Sequence, residues 1–196
     1  MSLRVREKPL VIELLLLLKR GGLAPSLWHF MASRRIFFPS PRVSSKGNWV
    51  QWNPPGLGIK QNVDDSYMNG CMSGEGVVHN QHRSVVWAFS WWFGPGDSLM
   101  AEASTLHIGL EFCCSHGFII HHVETDTMNL LRSIHGIYTT PWVDTYLLRN
   151  CKSLLHDDTS LNHMLREGNK IVDFLESWAS PDNPHIIFNS IGSLPL

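Results

Sequence analysis

Carboxylate side chains stand at four points of the sequence where the local pattern does not call for an acid. Carboxylate oxygens bind hard cations and transfer protons, so these residues are the first candidates for chemistry. Each of them also has a purely structural interpretation, and the residues alone leave both alternatives open. The four candidates are Asp64, Glu102, Asp126 and Asp173.

Glu102 and Asp64 are the two least expected. Glu102 lies on the apolar face of a predicted helix, three residues after Leu99 and four before Leu106, where burying a lone charge is costly. Its structural alternative is the start of that helix, where the helix dipole favours negative charge. Asp64 lies late in a predicted strand, where Asp is disfavoured, although Asp65 beside it also favours a turn that ends the strand.

The other two acids follow predicted elements closely. Asp126 comes directly after a short apolar strand, at the edge where open α/β sheets bind ligands, or it caps the next helix. Asp173 lies one turn into the last predicted helix, where the dipole gives it a structural role. Position alone therefore does not decide between chemistry and local structure.

The elements that must position these acids follow from hydrophobic periodicity and from Gly and Pro breaks. Three strands come first, and helices then alternate with strands, which is typical of a mixed sheet with helices packed on it. The helix that carries Glu102 has an apolar stripe at 4-3-4-3 spacing and begins after Asp97 or Ser98, either of which can cap it. The predicted strands are residues 59–67, 74–80, 85–93, 118–125 and 160–165, and the predicted helices are residues 98–114, 127–134, 143–155 and 169–180.

Composition limits the classes of protein. The 196 residues are 43% hydrophobic and 17% charged, enough for one folded domain and too apolar for wholesale disorder. No apolar run reaches the ~18 residues of a membrane helix, so no membrane partner is expected. Residues 1–50 carry nine Lys or Arg against two acids, a net +7, whereas the remainder carries 7 against 15, a net −8. We therefore expect a flexible basic extension at residues 1–50, a domain at 51–180 and a tail at 181–196.

The cysteines and histidines show no ligand pattern. The four cysteines form no CxxC pair and no zinc-binding spacing. Adjacent Cys113 and Cys114 are typical of a buried helix rather than of a disulfide, which favours a reducing, intracellular compartment. The sequence does not distinguish the nucleus from an organelle.

Four segments that contain the acids occur in order along the chain, after a WNPP sequence at residues 52–55. They are residues 60–66 (KQNVDDS), 101–110 (AEASTLHIGL), 123–126 (VETD) and 166–175 (REGNKIVDFL). Together they resemble the four motifs of type 1 ribonuclease H, most nearly the plant reverse-transcriptase-like form of non-LTR retroelements and their cellular relatives. The resemblance implies an α/β, ribonuclease H-like fold: a mixed five-stranded sheet, three antiparallel strands followed by two parallel ones, with helices on both faces.

The resemblance also implies an activity. It implies a metal-dependent endonuclease, expected as a monomer, that hydrolyses the RNA strand of RNA–DNA hybrids. Two Mg²⁺ ions, for which Mn²⁺ could substitute, would be held by Asp64 at both ions, by Glu102 and Asp126 at one, and by Asp173 at the other. Hydrolysis on two ions needs several hard oxygen ligands at one place, which would explain why Glu102 faces the sheet.

Three further residues receive roles from the resemblance. His163 takes the place of a loop histidine that assists proton transfer or product release, or it is an ordinary sheet histidine. Asn169 would contact the nucleic acid, or would cap the last helix. Ser66 would contact the substrate.

Departures from the family pattern leave a second hypothesis for the function open. Asp65 stands where the family usually has Gly, Thr125 replaces Ser, Val172 replaces Ala, and no extended basic handle is present. An extra carboxylate could alter metal affinity or crowd the substrate phosphate. The alternative is a domesticated module that binds nucleic acid without useful catalysis, although the presence of all four acids argues against it. An unrelated hydrolase has no GxSxG or Cys/His arrangement to support it.

Overall fold

The structure is a computed structural model that describes residues 42–43, 49–50, 52–139, 142–173, 175 and 178–189. Two short strands, β1 (Arg42–Val43) and β2 (Trp49–Val50), pair antiparallel with each other. Most of the expected basic extension lies outside the described residues. The other strands form one mixed sheet.

Five strands of this sheet follow the predicted order. The long antiparallel strands β3 (Ile59–Met68), β4 (Cys71–Asn80) and β5 (Val85–Pro95) are consecutive neighbours. Strand β6 (Ile120–Thr125) then pairs with β3 in parallel, and β7 (Ser160–His163) pairs with β6 in parallel. The prediction of three antiparallel strands followed by two parallel ones is therefore confirmed.

A sixth strand makes the sheet one strand wider than predicted. Strand β8 (His185–Asn189) pairs antiparallel with β5, which gives the order β7-β6-β3-β4-β5-β8. The rings of Trp91 and His185 stack across this pair, 4.9 Å apart. This strand lies in the segment that was expected to be a tail, because its five residues show no alternating pattern that would predict a strand. Pairing with the edge of β5 orders them, rather than local propensity.

The turn between β3 and β4 explains why both strands extend beyond the ends predicted for them on that side. Asn69 and Gly70 both have positive φ, 54° and 79°, the backbone that a two-residue hairpin of right-handed twist requires. Asn and Gly are the residues that adopt it at least cost. The strands therefore pair as far as Met68 and Cys71.

The helices form with the predicted bounds, within two residues, except the last. None of the helices among the described residues is both long and apolar enough to cross a membrane, and all four cysteines are free. The first three helices are α1 (Ser98–Ser115), α2 (Met128–Ile134) and α3 (Trp142–Leu154).

Helix α1 is fixed at its start and pressed closely onto the sheet. Asp97 caps it, because Asp97 Oδ1 accepts a hydrogen bond of 2.9 Å from the Met100 backbone N–H. A Cβ at Gly109 would lie 1.9 Å from Gln61 Nε2, so a larger residue there would displace the Gln61 amide. Gln61 Nε2 in turn donates to the Leu106 carbonyl at 3.3 Å, which sets the position of α1 along the strand.

The prediction of a last helix to residue 180 is wrong for the described residues. A 3₁₀ turn (Arg166–Gly168) leads into α4 (Lys170–Asp173), which is a single turn long. Beyond it, the Leu175 N–H bonds the Val172 carbonyl at 2.8 Å, a tighter turn than an α-helix. The Ala179 N–H donates to Ser90 Oγ of β5 at 3.1 Å, so the chain follows the sheet towards β8 instead of continuing the helix.

The sheet is covered on both faces. The apolar core lies between α1 and one face, and α4 with its following turn covers the other, where Val172 and Leu175 are fully buried. That second face also buries polar side chains, including Glu75 and Ser90, which bond each other at 3.3 Å. The core under α1 includes Val78, Trp87, Phe89, Leu106 and Leu110.

A polar network ties the WNPP segment to the two strands that end at the candidate site. Trp52 Nε1 donates to Asn62 Oδ1 at 3.1 Å, and Asn62 Nδ2 donates to Glu124 Oε2 at 3.0 Å. Lys60 forms an ion pair with Glu124 and donates to the Asn53 carbonyl at 2.7 Å. The buried lysine is thus paired, and β3 and β6 are held in register.

His79 lies fully buried beside this network and predicts an acid-sensitive stability. Burial, with the nearby Lys60 charge, lowers its pKa from 6.5 to about 3. The unfolded chain therefore takes up a proton below pH 6.5 that the folded chain refuses, so the free energy of unfolding falls as the pH drops, by up to ~1.4 kcal/mol per pH unit. The free energy of unfolding, measured with denaturant, should fall by about 2 kcal/mol more in the wild type than in His79→Leu between pH 7 and pH 4.5. Equal pH dependence in the two proteins would contradict this account, whatever their absolute stabilities.

Candidate active site

Three carboxylates lie near one another where β3 and β6 run side by side. Val63 of β3 lies beside Thr125 of β6 in the parallel pair, so the residues that follow, Asp64 and Asp126, come out at the same edge. Asp64 is 6% exposed and Asp126 is half-buried. Asp173 at the end of α4 completes the group, because its carboxyl lies within hydrogen-bonding reach of Asp64.

Crowding and burial make ionisation of this group unfavourable. The pKa of Asp64 is raised to about 8, first by burial and then by the negative charges of Asp126 and Asp173. Burial also raises the pKa of Asp126, with the Arg166 charge opposing it. Carboxyls in this situation are stabilised in their charged form when a cation lies among them.

Glu102 enters the site from helix α1 and is fully buried. The Thr125 hydroxyl donates to its Oε2 at 3.0 Å and accepts from the Thr127 backbone N–H at 3.1 Å. Thr125 stands where the family pattern usually has Ser, and its hydroxyl can make the hydrogen bonds that a serine hydroxyl would make. Burial, then the charge of Asp65, raises the pKa of Glu102 to about 9.

Asp65 faces α1, on the opposite side of β3 from Asp64, because successive strand residues alternate. Ser98 Oγ of α1 donates to Asp65 Oδ2 at 2.9 Å. The acids therefore fall into two groups: Asp64 with Asp126 and Asp173, and Glu102 with Asp65.

The remaining predicted site residues differ in accessibility. His163 ends β7, is exposed, and places its Nε2 2.9 Å from the Asp126 carbonyl. Ser66 lies on the same face of β3 as Asp64 and is partly exposed. Asn169 is 1% exposed, and its amide donates to the Val63 carbonyl at 2.9 Å. Its side chain does not cap α4, because its Oδ1, the atom that would accept from a helix N–H, has no hydrogen-bond partner.

Arg166 is a site residue that lies in the last motif but has no predicted role. Its Nε lies 3.8 Å from Asp173 Oδ1, and 61% of its side chain is exposed. Its positive charge favours ionisation of Asp64, Asp65 and Asp126. The sequence contained a signal for this role, because Arg166 lies in the same motif as the last acid, only seven residues before it.

The donor set suits a hard divalent cation. Among the described residues, no three His, Cys, Asp or Glu side chains converge closely enough to form a ready metal site. The acids at this edge nevertheless offer only oxygen donors, which Mg²⁺ prefers. Glu102 Oε1 is buried and has no hydrogen-bond partner, so it retains lone pairs for a cation. The chemistry of these donors therefore suits the divalent cations that the family resemblance implies.

A comparison by sequence places most of this domain in a known family. A family described as reverse transcriptase-like matches residues 68–179, more than half of the chain. The chain belongs to the reverse transcriptase-like family. The match includes Glu102, Asp126 and Asp173 and begins just after Asp64 and Asp65. No curated protein matches the chain in sequence.

Solved structures similar to this family member share its fold. Ribonuclease H1 from the archaeon Halobacterium salinarum has 20% identity and a TM-score of 0.54, over 59% of this chain and 91% of that one. The N-terminal ribonuclease H domain of a Mycobacterium tuberculosis protein has 17% identity and a TM-score of 0.53, over 60% and 88%. LC11 ribonuclease H1 in complex with an RNA/DNA hybrid has 18% identity and a TM-score of 0.52, over 59% and 91%. The fold is that of type 1 ribonuclease H, as the motifs predict.

Proposed function

We propose that the chain is a metal-dependent endonuclease that hydrolyses the RNA strand of RNA–DNA hybrids. The observation that carries the proposal is the group of Asp64, Asp126 and Asp173 at one edge of a ribonuclease H fold, with buried Glu102 beside it. LC11 ribonuclease H1, which shares the fold, forms a complex with an RNA/DNA hybrid. That complex supports the same class of substrate here.

The four acids would hold two Mg²⁺ ions, with Mn²⁺ as a substitute. When bound, the ions stabilise the negative charge that develops on the phosphate and lower the pKa of the attacking water. The protein places the oxygen donors on rigid elements: Asp64 on β3, Asp126 at the end of β6, Glu102 on α1 and Asp173 on α4. Hydrolysis joins the water oxygen to phosphorus and breaks the bond to the 3′ oxygen, which leaves a 5′-phosphate and a 3′-hydroxyl.

His163 and Asn169 would contribute in different ways. His163 would assist proton transfer at the leaving oxygen or product release, since its bond to the Asp126 carbonyl holds the exposed ring beside the site. We assign Asn169 a positioning role instead of a substrate contact. Its buried amide holds the Val63 carbonyl, immediately before Asp64. Ser66, partly exposed on the Asp64 face, keeps its proposed contact with the substrate.

Arg166→Ala should weaken binding of the hybrid. Arg166 is the exposed cation beside an acidic site, and a lost phosphate contact weakens binding and lowers the salt dependence by about one unit of slope. We expect KM for a hybrid to rise about 3- to 10-fold and to depend less steeply on salt. Steady-state kinetics between 50 and 200 mM salt measure both quantities.

The matched control is Arg83→Asn, which also removes one positive charge. Arg83 is exposed in the turn between β4 and β5, at the opposite end of β3 from the site, and has a φ of 65° that Asn tolerates. Its KM and salt slope should match the wild type. Equal salt slopes in all three proteins would show that Arg166 contacts no phosphate.

Two observations favour the alternative of a binding module without catalysis. Asp65 adds a negative charge beside Glu102, and no three acids of the described residues converge without a cation. Such a module would bind the hybrid in EDTA as well as in Mg²⁺ without cutting it, and Asp64→Asn would change neither property. An enzyme would require the metal and Asp64 for turnover.

A panel of strand-labelled nucleic acids tests the proposed substrate. RNA–DNA hybrid, double-stranded RNA, double-stranded DNA and single-stranded RNA of one sequence are incubated with Mg²⁺ or Mn²⁺. Only the RNA strand of the hybrid should be cut, since recognition depends on the 2′-hydroxyls of one strand and on groove shape. Cutting of the DNA strand, or equal cutting of single-stranded RNA, would contradict the proposed substrate.

A further inference from the structure

Asp65 is the residue at which the site departs most from the ribonuclease H pattern, where glycine is usual. It is half-buried on β3, and its side chain lies on the α1 side of the sheet. Asp64, the neighbouring residue, lies on the other side with Asp173. Two successive residues of β3 thus present carboxylates to opposite faces of the sheet.

Two hydrogen bonds hold Asp65 in place. Ser98 Oγ donates to its Oδ2 at 2.9 Å, and its own backbone N–H donates to Asp64 Oδ1 at 2.9 Å. Ser98 and Glu102 are four residues apart on α1, so they share one face of the helix. A side chain anchored at Ser98 is therefore directed at the same side of α1 as the Glu102 carboxylate.

Glu102 supplies a second and independent sign of a ligand. Its side chain is 0% exposed, and its Oε1 has no hydrogen-bond partner although it is buried. A buried carboxylate oxygen of this kind is costly unless a positive charge compensates it. The charged group that acts on it most strongly is another acid, Asp65, so a cation between the two carboxylates would compensate both.

We propose that Asp65 is a fifth carboxylate ligand of the metal centre, which together with Glu102 completes the part of the site on the α1 side of the sheet. The proposal rests on the proposed metal-dependent function. The extra acid then has a function: Asp65 supplies a second carboxylate on the Glu102 side of the sheet, which Asp64 does not supply from the opposite face of β3. The alternative is that Asp65 only repels its neighbours and weakens metal binding.

Calorimetric titration with MnCl₂ alone, without nucleic acid, tests the proposal. Asp65→Asn keeps the shape of the side chain and an oxygen that can accept from Ser98, but it removes the charge. We expect it to weaken Mn²⁺ binding at least ~10-fold, in the range that loss of supporting carboxylates costs metal sites. Asp64→Asn should also weaken binding. The matched control is Glu111→Gln, an exposed acid further along α1, which should bind Mn²⁺ as the wild type does.

The outcomes separate this inference from the proposed function. Mn²⁺ affinity of Asp65→Asn within twofold of the wild type, or tighter, would overturn the role of Asp65 and leave the proposed function standing if Asp64→Asn binds weakly. Weak binding by Asp65→Asn, in a protein whose wild type cuts no hybrid, would support the role of Asp65 and overturn the proposed function. No binding of millimolar Mn²⁺ by the folded wild type would overturn both.

Discussion

Asp64→Asn should abolish cleavage of an RNA–DNA hybrid while the protein stays folded. Asp64 lies buried and interacts with both Asp126 and Asp173, so its replacement removes the central oxygen ligand of the group. Asn has the same shape but offers one neutral oxygen in place of a charged pair. We expect kcat to fall by at least ~10²–10³-fold, the scale that one electrostatic group contributes in an active site. Single-turnover cleavage measures this directly.

The control for this substitution is Asp158→Asn. Asp158 is an exposed acid on the loop before β7, 88% of its side chain accessible, and the same change of charge there should leave kcat unchanged. Hybrid binding by Asp64→Asn should be retained or tighter, since one negative charge near the phosphates is lost. Cleavage by Asp64→Asn at the wild-type rate would exclude the acid group from the chemistry.

Glu102→Gln should make the metal-free protein more stable at alkaline pH. The pKa of Glu102 is about 9 in the folded chain, against an ordinary value of 4.5. The folded state therefore keeps a proton that the unfolded state releases, so the contribution to stability is present at low pH and is lost as the pH rises from about 4.5 to 9. Gln carries no such penalty, and its amide oxygen can still accept from Thr125.

We expect Glu102→Gln to unfold at a temperature roughly 4–8 °C higher than the wild type at pH 8 in EDTA, which corresponds to about 2 kcal/mol. At pH 5 the two melting temperatures should be nearly equal. Mn²⁺ should raise the melting temperature of the wild type, because a ligand stabilises the state that binds it, and should raise that of Glu102→Gln much less. Calorimetry at the two pH values, with and without Mn²⁺, measures the four differences.

Glu111→Gln on the same helix should show no such pH dependence, since Glu111 is exposed. The account of Glu102 would be wrong if Glu102→Gln were less stable than the wild type at both pH values and responded equally to Mn²⁺. That result would mean that the buried carboxylate is compensated within the chain.

Much of the fold could be predicted because its elements are specified locally. The apolar stripe of α1 and its cap at Asp97 fix that helix within one residue of the prediction. Strand β8 could not be predicted, because His185–Asn189 is ordered by the edge of β5. The length of α4 failed for a similar reason: residues 171–178 have helical spacing, but the bond from Ala179 to Ser90 draws the chain along the sheet.

The site was predictable in its members but not in its grouping. The motif order identifies all four acids, and strand alternation alone would place Asp64 and Asp65 on opposite faces. Which of them approaches Glu102 depends on how α1 lies over the sheet. That position is set by contacts between distant residues, such as Gly109 with Gln61 and Gly74 with Thr105. No short stretch of sequence contains both partners of such a contact.

The chemical ends of the cut RNA strand test the central claim most directly. The wild-type protein is incubated with an end-labelled RNA–DNA hybrid in Mg²⁺, in Mn²⁺ and in EDTA, and the products are resolved by their termini. The account predicts 5′-phosphate and 3′-hydroxyl ends in either metal and no cleavage in EDTA. Cleavage in EDTA, products that end in 2′,3′-cyclic phosphate, or an uncut hybrid with folded protein in both metals would contradict it.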